Sequence, residues 1–168
     1  MGRNKEAISA YDRLLKRTIN DSLRNKVLLR KALMADSAPK SATPKTKESP
    51  LAQFAKGDGI SSELRNQAAI VLALTGEQRA AVGLFVPTGE GSARFRQELR
   101  IAEWAIESKA LAKAQKAAWS AVRHANLKRD RRYALAVLVE AYRRNGKLDD
   151  LITLLSTTDN LDAESREV

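Results

Sequence analysis

Few side chains in this sequence could do chemistry, and they are scattered. The one histidine, His124, lies among basic residues of an expected helix. Neither a histidine metal pair nor a catalytic triad is built from it within one chain, and it reads as a surface or partly buried helical residue. Asp149 and Asp150 are adjacent on a helix, so they point to different faces and cannot share a substrate. At a helix start their charge is favourable anyway. Residues 88–92 contain a Gly-x-Gly but no following lysine and no preceding strand, which makes them a turn rather than a phosphate cradle. Thr43-Pro44 and Ser49-Pro50 match a proline-directed kinase pattern inside what reads as a solvated linker. Cysteine is absent, which removes disulfides, thiolate catalysis and cysteine-bound zinc. Titratable groups do not converge as an active site requires, so neither an enzyme nor a cofactor is expected.

Cations are the exception. The net charge is +10 and unevenly spread. Residues 1–35 carry nine Lys or Arg against three acids, residues 109–147 eleven against two, and residues 148–168 one against six. Arg123, Lys128, Arg129, Arg131 and Arg132 crowd one expected turn, and Arg143, Arg144 and Lys147 the next. Such bands could neutralise phosphates. Aromatic residues, on which single strands stack, make up only 5% of the chain, and the expected elements place them in the core. No helix displays Asn, Gln and Arg on one face for reading duplex DNA. Three readings stay open: solvated helical faces, an acidic protein or polymer partner, and nucleic acid.

The elements that position these groups read as helices. The chain has 168 residues, 43% hydrophobic, with eight Gly and four Pro, enough for one domain with a real core. Val, Ile and Thr do not alternate, so strands are not expected. No apolar run approaches the roughly 20 residues of a membrane span. The N-terminus lacks the apolar stretch of a signal peptide, and the lack of cysteine suits cytoplasm and periplasm alike. The organising stretch is residues 134–155, two helices broken at Asn145-Gly146. Ala134, Val137, Leu138, Ala141 and Tyr142 share one face of the first helix; Leu148, Leu151, Ile152, Leu154 and Leu155 make the second apolar. Such a hairpin cannot bury its own apolar surface and needs neighbours.

Repetition supplies them. Gly76 lies seventy residues before Gly146, two periods of thirty-five, so a middle hairpin should turn near residue 110 or 111, with Glu107-Ser108-Lys109 as a weak break. Gly2 opens another second-helix pattern. The alternative is an ordinary helical bundle in which Gly2, Gly76 and Gly146 are independent helix ends. Earlier in the chain, residues 4–17 and 23–35 read as helices, the second capped at Asp21-Ser22 and burying Leu23, Val27, Leu28 and one of Leu33 or Met34. Residues 36–49 are too polar to offset their ordering entropy and read as a flexible insertion; residues 50–56 read as a short helix standing in for a truncated partner. Ser61-Ser62 caps the next helix, followed by a short partner at 77–86. Further helices are expected at 95–107, burying Phe95, Leu99, Ala102 and Ile106, and at 111–125, anchored by Trp119.

A helix–turn–helix period near 34 residues, with Ala7 and Tyr11 five and nine positions after Gly2 and Ala81 and Phe85 likewise after Gly76, resembles the tetratricopeptide repeat (TPR) family. Leu138 and Tyr142, eight and four before Gly146, fit the same pattern. Leu151 stands where a small residue is expected, Gly76 is preceded by Ala68 and Leu72, the closing Pro is missing, and the middle hairpin lacks the Gly. The likeness covers about three quarters of the chain. It implies an all-α, right-handed α-solenoid of antiparallel hairpins: residues 1–35 opening on a second repeat helix, an insertion at 36–60, three hairpins at 61–158, and the start of a further element at 159–168, as in a fragment of a longer array. It also implies a non-catalytic scaffold whose first helices line a groove for an acidic or extended protein segment. The residues projected there are Arg24, Arg30, Arg100, Arg132, Glu140, Arg143 and Arg144, the arginines suiting carboxylate or phosphate recognition. Degenerate bacterial arrays of this kind often serve secretion or exopolysaccharide-export assemblies. The alternative function is nucleic-acid binding through the basic bands.

Overall fold

A computed structural model describes residues 2–17, 20–36 and 49–157, and among them there are nine α-helices and no strand. No helix among the described residues is long and apolar enough to cross a membrane. The chain divides into two compact units, Met1–Val86 and Pro87–Val168.

The first unit contains α1 (Gly2–Leu15), α2 (Asp21–Asp36), α3 (Pro50–Lys56), α4 (Ser62–Leu74) and α5 (Gln78–Leu84). Asn20 begins α2, its Oδ1 accepting the Leu23 amide at 2.8 Å, one residue ahead of the expected cap. Leu23 is exposed, contrary to the expected face, and α2 buries Val27, Leu29 and Ala32. The reason is that α2 packs on both α1 and α3, so it buries two flanks instead of one stripe, while Leu23 sits in the first turn at the edge. The residues of the expected flexible insertion fall largely outside the described ones.

Seven residues are too few for a helix to stand alone in water, so α3 depends on packing. Ser49 caps it, its Oγ accepting the Ala52 amide, and Pro50 occupies the first turn, where a missing N–H costs nothing. Leu51, Ala52 and Ala55 are fully buried against α2, α4 and α5. Arg65 of α4 donates Nε–H to the Ala55 carbonyl at 2.9 Å, partnering one carbonyl left open at the end of α3. Ser61 caps α4 as expected. Asn66 is buried within it and exchanges two hydrogen bonds of 2.8 Å with the backbone of Val86. Both ends of the amide are satisfied, so this polar core residue is tolerated.

The second unit contains α6 (Gly91–Glu107), α7 (Leu111–His124), α8 (Lys128–Arg144) and α9 (Leu148–Thr157). Helix α6 begins four residues before the expected Phe95. Arg94 explains the early start: it donates to the Pro87 carbonyl at 2.8 Å and to buried Glu98 at 2.9 Å, while Gln97 Oε1 accepts the Thr88 amide. The connection is thereby fastened to the first turns of α6. Ala114, Ala117, Ala118 and Ala121 of α7 are all buried. Their small side chains let backbones approach closely, and α7 packs on both α6 and α8, which also touch each other. Helix α9 packs on α8 and, among its described side chains, buries only Leu151; Leu148, Ile152, Leu154 and Leu155 stay exposed.

Three turns share one geometry. At Gly76, Lys109 and Gly146 the backbone is left-handed, with φ of 89°, 60° and 66°. Each of these residues donates its N–H three residues back, to Ala73, Ile106 and Arg143, and the next residue donates five back, to Leu72, Ala105 and Tyr142. This is the Schellman helix ending. The expected middle turn is therefore at Lys109, 33 residues after Gly76 and 37 before Gly146. Relative to each turn, the residues eight before (Ala68, Ile101, Leu138) and five after (Ala81, Ala114, Leu151) are all buried.

Candidate partner-binding groove

The α6–α8 contact leaves a groove of about 340 Å³ in the second unit. On α6 it is lined by Glu103, Ile106 and Glu107, and on α8 by Tyr133, Ala136, Val137, Glu140 and Arg144. Helical spacing explains the lining, since residues three and four apart share a face. One face of each helix thus contributes an apolar floor and a charged rim.

Two contacts fix the rim. The Tyr133 hydroxyl donates to Glu103 Oε1 at 2.9 Å across the groove. That bond to a carboxylate, more than any other influence, raises the phenol above its ordinary 10.0. Glu140 accepts from Arg143 through Nε and Nη2, at 2.7 and 2.8 Å, and from Arg144 Nε at 2.6 Å. The bonds from Arg143 and then Arg144 hold its carboxyl at about 2, below the ordinary 4.5. The same carboxylate raises Arg143.

Of the expected site residues, the structure brings together Glu140, Arg143 and Arg144, as one ion-paired cluster. Arg144 and Glu140 line the groove; Arg100, Arg132 and Arg143 do not. Arg100 lies over the Trp104 ring at 5.9 Å, a cation–π placement, and Arg132 is exposed near the start of α8. Arg24 and Arg30 are exposed on α2 in the first unit. There Arg24 lines a separate cleft of about 710 Å³ whose walls include Leu28, Phe54 and Ile60.

Sequence reasoning missed Glu103, Glu107 and Tyr133. The signal was present: Glu103 and Glu107 are four apart, and Tyr133, Ala136, Val137, Glu140 and Arg144 follow the three–four spacing on α8. The basic clusters also resolve into separate features. His124 donates Nδ1–H to the Ser120 carbonyl at 2.7 Å within its own helix, and Arg129 lies 3.5 Å from Asp130.

The groove pairs one hydroxyl, that of Tyr133, with a carboxylate, that of Glu103. What it offers is recognition: an apolar floor, carboxylates on both walls, and one guanidinium already committed to a carboxylate. No family model, curated protein or solved structure matches the chain.

Proposed function

We propose that this protein is a non-catalytic interaction scaffold, a right-handed α-solenoid of TPR-like hairpins that holds an extended segment of a protein partner along its first helices. The observation supporting this most directly is the threefold recurrence of one turn, at Gly76, Lys109 and Gly146, with buried residues at matching offsets. Stacked hairpins of that kind bury a continuous core and leave one row of helices to line a binding surface. An acidic partner is what the arginines alone imply. At the α6–α8 groove the carboxylates of Glu103 and Glu107 favour instead an extended segment presenting a basic or apolar side chain.

The test begins with capture from nuclease-treated native extract, followed by calorimetry with the segment so identified. Ala136 is exposed in the groove, and Ala136→Trp would fill it. Affinity is expected to fall at least about tenfold, equivalent to about 1.4 kcal/mol. Undiminished affinity in Ala136→Trp and in Arg144→Ala would rule the groove out.

A further inference from the structure

Helix α7 presents the opposite chemistry. Between Glu107 and Asp130 lie 22 residues, 108–129, without a single acid and with six Lys or Arg. Lys113, Lys116 and Arg123 fall at intervals of three and seven, which puts them on one stripe of α7. All three are exposed, while Ala114, Ala117, Ala118 and Ala121 of the same helix are buried. At 1.5 Å per residue the stripe is about 15 Å long. Lys128 and Arg129, the first residues of α8, add two more exposed cations, and the Arg129 side chain is 87% exposed. No residue of α7 lines the α6–α8 groove.

Several carboxylates of the second unit are engaged elsewhere. Glu103 and Glu107 line the groove, Glu140 is held by two arginines, and Glu98 is buried against Arg94. Asp130 sits beside Arg129, at the start of α8. Between the cations lie small side chains, exposed Ala112 and half-buried Ser120, so a chain of anions can approach the helix closely. A preformed helix presents the charges without further ordering cost.

We propose that the exposed stripe of α7 and the first residues of α8 form a docking surface for the phosphate backbone of nucleic acid. This surface is distinct from the partner groove and does not depend on it. Lysine is a compact point charge suited to a uniform row of phosphates rather than to the planar fork geometry of single carboxylates. The exposed residues of α7 include no large apolar side chain, as insertion into an anionic membrane would require. Few exposed aromatics accompany the cations, so binding is expected to ignore base sequence.

The experiment is fluorescence anisotropy of a labelled mixed-sequence DNA duplex with the full chain, titrated across a range of KCl. Wild type should bind with log K falling linearly in log salt. Lys116→Gln, Arg123→Gln and Lys128→Gln together should flatten that slope by about 0.9 for each phosphate no longer neutralised, or nearly 3 in all, and weaken low-salt binding at least about tenfold. Gln has a helix propensity close to Lys and Arg, and circular dichroism checks that helix content is kept. Lys116→Gln alone, with a slope change of about 0.9, serves if the triple variant is impaired. The control Arg17→Gln, Lys26→Gln and Arg79→Gln removes the same charge from exposed sites of the first unit and should behave as wild type. An equal loss in that control would reduce the effect to net charge and overturn the proposal. So would absence of duplex binding, or competition by polyglutamate or phosphatidylserine vesicles as effective as by unlabelled duplex.

Discussion

Hairpins α6/α7 and α8/α9 close through the same turn, at Lys109 and Gly146, yet they bury very different amounts of their second helix. In α7 the residues five, eight, nine and twelve after the turn are Ala114, Ala117, Ala118 and Ala121, all buried. In α9 the residue five after is Leu151, buried, while Leu154 and Leu155, eight and nine after, are exposed. A turn fixes where the chain reverses, not how closely the two helices then lie. Closeness depends on small side chains, and on a further helix: α7 has α8 against it as well as α6, whereas α9 packs on α8. The glycine is also dispensable. Lys109 adopts the left-handed conformation at some conformational cost, which the extensive packing of α6 against α7 offsets.

The contrast can be broken from the core outward. Leu138, eight before the Gly146 turn, is fully buried, so Leu138→Ala should cost about 2–5 kcal/mol in urea unfolding. Leu151→Ala should cost about 2, at the low end of the same range, because α9 can settle into the space. Similar losses from both would mean that α9 is held as firmly as α7. Ala114→Leu forces bulk between α6 and α7 and should cost about 1–3 kcal/mol; an unchanged midpoint would show that close approach is not what small residues provide there. The turns come next in size. Gly146→Ala should destabilise by about 1 kcal/mol and Lys109→Gly stabilise by somewhat less, since glycine gains flexibility in the unfolded chain. Stabilisation by both changes would contradict the shared geometry.

The smallest effect concerns the groove rim. Glu140 has its carboxyl lowered to about 2 from an ordinary 4.5, so its contribution is fully present above about 4.5 and is lost as pH falls through about 2. The pair is exposed and screened, so the contribution to stability is slight. Carboxyl NMR should show the titration midpoint near 2 in wild type and close to the ordinary value in Arg143→Ala with Arg144→Ala. A midpoint that ignores those arginines would dissolve the cluster.

Most helices were legible because apolar spacing and caps coincided, as at Ser61. The Lys109 turn was legible only through the period, since neither Ser108 nor Lys109 is a usual helix-ending residue. Burial was less legible. Leu23 and Leu154 satisfy an apolar pattern and remain exposed, because pattern gives a face and not the presence of something to cover it. Asn66 and Glu98 sit in the core for the converse reason: each has a polar partner there, the Val86 backbone on a connection for Asn66 and Arg94, four residues earlier on α6, for Glu98. At the groove, the arginines were read as available to a partner. Their three- and four-residue spacing from Glu140 already foretold that they would answer to it first.

Both tryptophans, Trp104 and Trp119, belong to the Pro87–Val168 unit, and Trp119 donates its indole N–H to the Tyr142 hydroxyl at 3.3 Å. Indole emission therefore watches that half of the chain alone, whereas far-ultraviolet ellipticity watches every helix. Heating one sample under both kinds of light separates the two records: superimposable curves describe a single melting event, and divergent ones give each half its own temperature without cutting the chain.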